Sequence, residues 1–454
     1  MFAVSLPSTA ATDPIAFTSK AKAAGADLLE IRGDLTPDIP FFESPLPLII
    51  APRRAMCAQL QQLQPMFVDL ELGEEASVPT GMRLIRSFHD YSGTPALQEL
   101  RRIADRCTSE GAEIIKIATT INAYEDLRIL DQFHAAVPKE QKRVILGMGS
   151  RSHLDRMLSP LRNELTYTYR DEDGESAPGQ VPLSLYRKIA HCEQPRIFGI
   201  LGGLDVRSGS PAIHNSLFQR HAIDALFTTF LSEDLEDAFR FIKREQVSGF
   251  AVSTPFKETI IDLLDAIDPL AAQLRSVNTV VLEHGKYKGY NTDADGLREA
   301  CGFVTDTSSV AIIGSGGVVP SVLHACRERG ARDITIFARN KKARENLAHR
   351  FSVRSHALHA IAEATPDVLI CAVHDDASFP IPPAKRQAHA LDLRYGAKTR
   401  FMTEAQVKGY RVHDGVSMLL HQALAQFRSF TGIAPPDSDF QMLLRLFPSS
   451  HGSQ

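Results

Sequence analysis

The chain has 454 residues, of which 44% are hydrophobic, and a formal charge of −4. That length suits two or three domains, and the charge provides neither the basic footprint of a nucleic-acid binder nor a basic patch for membranes. The six cysteines lack C-x-x-C spacing, the sixteen histidines include no H-E-x-x-H, and no apolar run approaches a bilayer span. The N-terminus lacks the charged start and apolar core of a signal peptide, so a soluble cytoplasmic protein with free thiols is expected. Its expected partners are small-molecule substrates rather than nucleic acid or membrane. No metal site is expected, and oligomeric state is not legible. His349, His356 and His359 lie on a basic stretch and read as solvated.

Taken in order, short apolar runs recur at 2–6, 28–32, 48–51, 67–72, 83–89, 113–119, 144–148 and 165–169. Amphipathic helical candidates, such as 95–107 and 123–137, lie between them. Strand and helix alternating eight times predict a (β/α)8 barrel, compact at about 190 residues. Chemistry in such barrels sits at the C-terminal strand ends. Those ends carry Glu30 and Arg32, then Arg53, then Asp69 and Glu71, then His89 and Asp90. Lys116 stands inside a strand among Ile114, Ile115 and Ile117. Burial lowers a lysine pKa and makes the neutral amine a nucleophile for a ketone, with a Schiff base as product. Equally open on this residue alone is an ion pair with Glu30 or Glu71 that closes the barrel floor. His89 is a neighbouring proton carrier, although a lone histidine is more often structural.

An amphipathic helix at 183–190 precedes a new apolar run, which places a boundary near residue 193, with Pro195 in a short linker. Beyond it come a strand at 198–201, a Ser208-Gly209-Ser210-Pro211 loop, a helix from about 212 and a strand at 249–252. Ser253-Thr254-Pro255-Phe256-Lys257, SVNTV and GYNTDADG follow. Taken singly, these pieces are more often helix caps, turns and solvated loop residues.

Residues 310–313 form a buried parallel strand in this reading, and Gly314, Ser315, Gly316 and Gly317 follow at once. Glycines there let the backbone turn and approach a pyrophosphate at the N-terminus of the next helix. Pro320 suits the first helical turn, Leu323 and Cys326 continue an apolar face, Gly330 ends the helix, and 334–337 is the second strand. That strand ends Ala338-Arg339-Asn340-Lys341-Lys342, with cations where NAD binders carry an acid, so NADP(H) is the expected cofactor. A solvated basic loop is the bland alternative.

The first half resembles the type I 3-dehydroquinate dehydratases through LLEIRGDL, FVDLEL, SFHDYSGTP, EIIKIATT, GMGSRSHLDRMLSP and ESAPGQVPLS. The resemblance implies an imine on Lys116, with His89 moving protons beside it. It also implies substrate contacts from Glu30, Arg32, Arg53 and Arg156, and a lid bearing Ser176 and Gln180. The family pairs its histidine with a glutamate shortly after the third-strand arginine. Here Arg53-Arg54-Ala55-Met56-Cys57-Ala58 stands there, and no acid occurs before Asp69.

The second half resembles the shikimate dehydrogenases through these serine, proline–lysine and NTD elements, LDLRYGAKTRF and DGVSMLLHQALAQFRSFTG. The resemblance implies Lys257 and Asp293 as the catalytic pair. It implies Ser208, Ser210, Ser253, Asn278, Tyr395 and Gln422 as substrate ligands, and Gly314, Ser315, Gly316, Gly317, Arg339, Asn340 and Gly415 around NADP. Arg207, Ala251, Ser253 and the Cys371-Ala372-Val373-His374 strand end depart from the family pattern. The expected domains are a barrel at 1–192, a substrate-binding domain at 193–297 to which 416–454 returns, and a Rossmann-type domain at 298–415. Together the halves imply a bifunctional lyase and oxidoreductase of the shikimate pathway. The alternative is an active reductase whose barrel is weak or only binds a metabolite, in a regulatory or scaffold role.

Overall fold

The structure is a computed structural model that describes all residues except 54–59, 76–77, 79, 374–377, 397 and 448–454, and except the side chains of 60–61. It divides into two compact units: residues 1–200 with 218–246, and 201–217 with 247–454.

In the first unit the strands are β1 (Phe2–Ser5), β2 (Leu28–Arg32), β3 (Leu48–Ala51), β4 (Phe67–Glu71), β5 (Arg83–Asp90), β6 (Ile114–Thr120), β7 (Lys142–Met148), β8 (Thr166–Tyr169) and β9 (Val181–Pro182). They form one curved sheet in the order β7-β6-β5-β4-β3-β2-β1-β8-β9. Every recorded pairing in it is parallel. All eight expected strands are present, within a residue or two of their expected ends. The alternation with helices is incomplete: helices follow β1, β3, β5, β6, β7 and β9, but the 33–47 crossover and the described residues of 72–82 hold none. The helix-free 33–47 crossover and the shortness of 72–82 explain how the sheet fits a compact segment.

Successive strand side chains point to opposite faces. Leu29, Ile31, Leu48, Ile50, Val68 and Leu70 pack outward against the helices. Ala3, Leu28, Ile49, Phe67, Ile85, Ile114 and Val144 fill the inner face. Burying each large apolar side chain contributes about 2 kcal/mol. The inner-face register also brings in Glu30, Asp69 and Lys116, all buried. This unit closes with β11 (Ala225–Leu231) and the helix Leu235–Arg244; β10 (Arg196–Gly202) begins in it and ends in the second unit.

The second unit holds β12 (Gly249–Val252), β13 (Ala266–Ile267), β14 (Thr279–Glu283) and β15 (Lys286–Tyr290), adjacent in the order β12-β14-β15-β13. Its other sheet comprises β16 (Ser309–Ile313), β17 (Asp333–Ala338), β18 (Arg354–Ala357), β19 (Val368–Cys371), β20 (His389–Asp392) and β21 (Arg411–His413). The order β18-β17-β16-β19-β20-β21, parallel throughout, is the 3-2-1-4-5-6 arrangement of a Rossmann sheet. Its strand order reverses between β16 and β19, where ligands bind in such sheets. The helix Val319–Glu328 follows β16 with Pro320 in its first turn, and Gly330, at φ +93°, lies just past its end. His349, His356 and His359 are exposed, as expected. Among the described residues no helix is long and apolar enough to cross a membrane.

The helices Asp293–Ala300 and Val416–Thr431 pack closely at Gly296, where a Cβ would fall 2.5 Å from the Met418 carbonyl oxygen and 2.9 Å from Gln422 Cβ. Gly296→Ala should therefore destabilise the second unit by about 1–3 kcal/mol. Thermal unfolding checks this, and an unchanged transition would refute the packing argument.

Candidate active sites

In the barrel, eight expected site residues meet around one cavity of about 370 Å³: Glu30, Arg32, Arg53, His89, Lys116, Arg156, Ser176 and Gln180. Lys116 rises from the apolar inner layer, with Nζ 2.6 Å from Asp69 Oδ2 and 3.8 Å from Glu30 Oε1. The Tyr167 ring lies 4.1 Å below the same nitrogen. Lys116 thus has an ion pair and also faces the cavity, so the two readings of this residue coexist. Its nearest partner is Asp69 rather than Glu30 or Glu71. Burial opposes ionisation of Asp69, but Lys116, Arg53 and His89 outweigh it and hold the carboxyl at about 2.

Glu71 turns to His89 instead. Its carboxylate oxygens lie 2.9 and 3.2 Å from His89 Nδ1, and Oε1 accepts the His89 backbone N–H at 3.0 Å. Arg53 Nη1 donates to Glu71 Oε2 at 2.7 Å. Burial again opposes the charge, and the histidine and arginine keep the Glu71 pKa below its usual value. Of the neighbouring pair Arg53 and Arg54, Arg53 lines the cavity, and Arg54 lies outside the described residues.

Arg32 is held by Asp34 at 2.7 Å, and Arg156 Nε donates to the Gly147 carbonyl at 2.6 Å. Burial of Arg156 lowers its pKa, so this guanidinium gains from an anionic partner. Gln180 Oε1 accepts from the Ser176 N–H at 2.9 Å and its hydroxyl at 3.1 Å. Gly179, at φ +83°, lets this loop press on residue 149: a Cβ there would meet the Gly149 carbonyl oxygen at 2.6 Å.

In the second unit, Lys257 Nζ donates to Asp293 Oδ2 at 2.6 Å. Asn278 Nδ2 donates to the other oxygen of Asp293 at 2.8 Å and to Thr292 Oγ1 at 3.0 Å. Behind them Gln426 Nε2 donates to Thr279 Oγ1 at 3.1 Å and to the Asn278 carbonyl at 3.2 Å. Ser208 Oγ donates to Ser210 Oγ at 3.0 Å, and the Gly209 N–H donates to the Tyr395 hydroxyl at 3.1 Å. This brings Tyr395 to the serine loop. Ser253 follows β12 and donates its N–H to the Leu201 carbonyl. Gln422 is buried, its amide bonded to the Leu419 carbonyl. Arg207 is exposed and Ala251 is buried within β12; His374 lies outside the described residues.

Gly314, Ser315, Gly316, Arg339 and Asn340 line a second cavity of about 370 Å³ at the ends of β16 and β17. Gly314 has φ +123°, and a Cβ there would meet the Ala372 carbonyl oxygen at 2.7 Å, whereas the Cβ position of Gly316 is open. Among the described residues no acidic side chain lines this cavity. Asn340 also caps the helix Lys341–Phe351 by accepting from the Ala343 N–H. Gly317 borders the substrate side, where a Cβ would lie 3.7 Å from Lys257 Cβ. Gly415 is not among the lining residues of this cavity; it is the N-cap of the helix Val416–Thr431, packed on the Leu393 carbonyl.

Sequence reasoning noticed Asp69 and Glu71 as strand-end acids but not their partners; two-residue spacing on β4 already put both on one face. Thr292 and Gln426 were not singled out, although both lie inside quoted stretches, GYNTDADG and DGVSMLLHQALAQFRSFTG. Tyr167 gave none.

The fold and sites define a two-part enzyme: a lysine-centred parallel barrel ahead of a dinucleotide-binding reductase. The family model for type I 3-dehydroquinase matches residues 50–195. Those for the shikimate dehydrogenase substrate binding domain and the shikimate 5′-dehydrogenase C-terminal domain match 202–280 and 415–445. The chain belongs to the shikimate dehydrogenase family: it is 30% identical to the shikimate dehydrogenase (NADP(+)) of Pyrococcus abyssi, covering 97% of that protein with 55% of its own length. It is also 28% identical to the bifunctional 3-dehydroquinate dehydratase/shikimate dehydrogenase, chloroplastic, of Arabidopsis thaliana, over 92% of this chain and 80% of that protein. The crystal structure of shikimate dehydrogenase from Aquifex aeolicus matches 56% of this chain and 98% of that one, with 29% identity and a TM-score of 0.50.

Asp69 titrates at about 2 in the folded protein, below the ordinary 3.8. Its stabilising contribution is therefore complete above roughly pH 4 and lost as pH falls toward 2. Lys116→Met removes the counter-charge, and burial then raises this carboxyl. The variant should be least stable, relative to the unmodified protein, near neutral pH and should recover part of the deficit toward about pH 4. Thermal unfolding across that range checks this; a pH-independent deficit would contradict it.

Proposed function

We propose that this chain catalyses two consecutive steps: dehydration of 3-dehydroquinate to 3-dehydroshikimate in the barrel, and reduction of that ketone to shikimate in the second unit. The observation that carries the first assignment is the convergence of Lys116, His89 and three arginines on one cavity. Lys116 Nζ attacks the ketone carbon and water is lost, leaving an imine on the lysine. His89 takes the proton from the adjacent carbon and returns it to the departing hydroxyl, which leaves as water. Arg32, Arg53 and Arg156 suit the carboxylate and its neighbouring hydroxyls. Ser176 and Gln180 close the mouth and keep bulk water from the imine. Hydrolysis then frees Lys116.

In the second unit, Ser208, Ser210, Ser253, Asn278, Tyr395 and Gln422 orient the substrate in this reading. The glycine cradle with its open Cβ position, and Arg339 and Asn340 in a cavity whose described lining holds no acid, fit NADP(H). When bound, NADP(H) supplies the hydride. Lys257 places positive charge and a proton beside the carbonyl oxygen as charge develops there, and Asp293 holds the ammonium in place. The reading keeps three domains, at 1–192, at 193–297 with 416–454, and at 298–415, and places Gly415 at the edge of the cofactor region. It also places the protein in the cytoplasm, where the five described free cysteines suit a reducing compartment. A barrel that only binds its ligand is disfavoured by the carboxylate on His89, which binding alone does not require.

Borohydride added with 3-dehydroquinate should leave a reduced adduct on Lys116, located by peptide mass. No adduct despite bound ligand would favour the binding-only barrel. Lys257→Ala should lower kcat for NADPH-dependent reduction of 3-dehydroshikimate by about 10²–10³-fold. Full activity in that variant would remove Lys257 from the reaction.

A further inference from the structure

Resting on the dehydratase reading of the barrel, we infer that Glu71, at the end of β4, is the positioning residue that sets the tautomer and orientation of His89. The sequence between Arg53 and Asp69 contains no acid, so this contact comes from the next strand. The sheet register explains how. Glu71 lies opposite Ser87 across the β4–β5 ladder, and Ser87 and His89 share the inner face two residues apart. The carboxylate therefore reaches both the backbone and the ring of His89.

A simpler role for Glu71 is an ion pair with Arg53. The contacts go beyond that, since the oxygen facing the His89 backbone N–H at 3.0 Å also faces Nδ1 at 3.2 Å, and the other faces Nδ1 at 2.9 Å. An ionised carboxylate only accepts hydrogen bonds, so Nδ1 must carry the hydrogen. The lone pair of the neutral ring then sits on Nε2. Proton removal from the carbon beside the imine needs that lone pair: the C–H electrons form the new carbon–carbon double bond, the imine nitrogen takes the displaced pair, and Nε2 takes the proton. Glu71 is itself fixed, by Arg53 Nη1 at 2.7 Å, by Ser87 Oγ at 3.2 Å, and through its own N–H by Glu74 Oε2 at 3.1 Å. Arg53 is thereby tied to histidine orientation as well as to the cavity.

The test is Glu71→Gln in the full chain, assayed for 3-dehydroquinate dehydration. We expect kcat to fall by about 10²-fold or more while KM stays within about threefold. Borohydride should still mark Lys116, which shows that the site is folded and forms the imine. Combining Glu71→Gln with His89→Ala should cost no more than His89→Ala alone, because the two act as one unit. A kcat within about threefold of the unmodified protein, or losses that multiply in the double variant, would overturn the inference. The unmodified protein gives a variant-free reading: long-range ¹H–¹⁵N spectra above pH 7, with His89→Ala to assign the signal, should place the His89 proton on Nδ1. A proton on Nε2 would also overturn it. Absence of both turnover and adduct in the unmodified protein would instead strike the dehydratase reading, and the spectra would still decide the tautomer.

Discussion

Each candidate site is built on a lysine whose charge is held by an aspartate at 2.6 Å: Lys116 by Asp69 and Lys257 by Asp293. Removing two charges from water costs several kcal/mol per ion, and the attraction offsets that only where geometry is good and further hydrogen bonds complete the shell. The surrounding architecture follows from that requirement. Around Lys116, the inner face of the sheet supplies apolar packing below, the Tyr167 ring beside the ammonium, and Glu30 as a second, more distant acid. Around Asp293, the second oxygen is satisfied by Asn278, which is in turn fixed by Thr292 and Thr279.

In the second unit a short series of polar contacts joins the substrate elements to the nucleotide loop. Ser276 Oγ donates to the Gly317 carbonyl at 3.0 Å, and Asn291 Nδ2 donates to the Ser276 carbonyl at 2.7 Å. Ser321, in the helix after the glycine loop, donates to Asn291 Oδ1. These contacts set the turn before Asp293 relative to the N-terminus of the cofactor helix. Such placement matters because hydride and proton delivery must converge on one carbonyl, and a misplacement of about 1 Å can cost about 10²-fold.

Much of this was legible in the sequence, because the signals were periodic or punctuated. The eight barrel strands and the first Rossmann strands are short apolar runs bounded by polar or glycine residues, and one-turn glycine chemistry marked Gly314. The convergence of Arg32, Arg53 and His89 followed from strand ends, whereas Arg156 came only from the family resemblance and lies in the helix His153–Arg162. What escaped depends on register between strands, which no local pattern reports. Without knowing that Glu71 faces Ser87, its partner could not be assigned to His89 rather than Lys116. The helix-free 33–47 crossover was hidden because a loop of that length holds a helix as readily as not. Asn340 shows a different ambiguity: the same side chain that suits a phosphate loop also suits a helix cap, and the structure shows it capping.

One chain supports both reactions. Purified protein mixed with 3-dehydroquinate and NADPH, with no 3-dehydroshikimate added, tests it most directly through loss of the reduced nicotinamide. Steady oxidation is expected, because the barrel must supply the ketone that the second unit reduces. No oxidation, with activity appearing once 3-dehydroshikimate is added, would contradict it and leave a reductase joined to a barrel without chemistry.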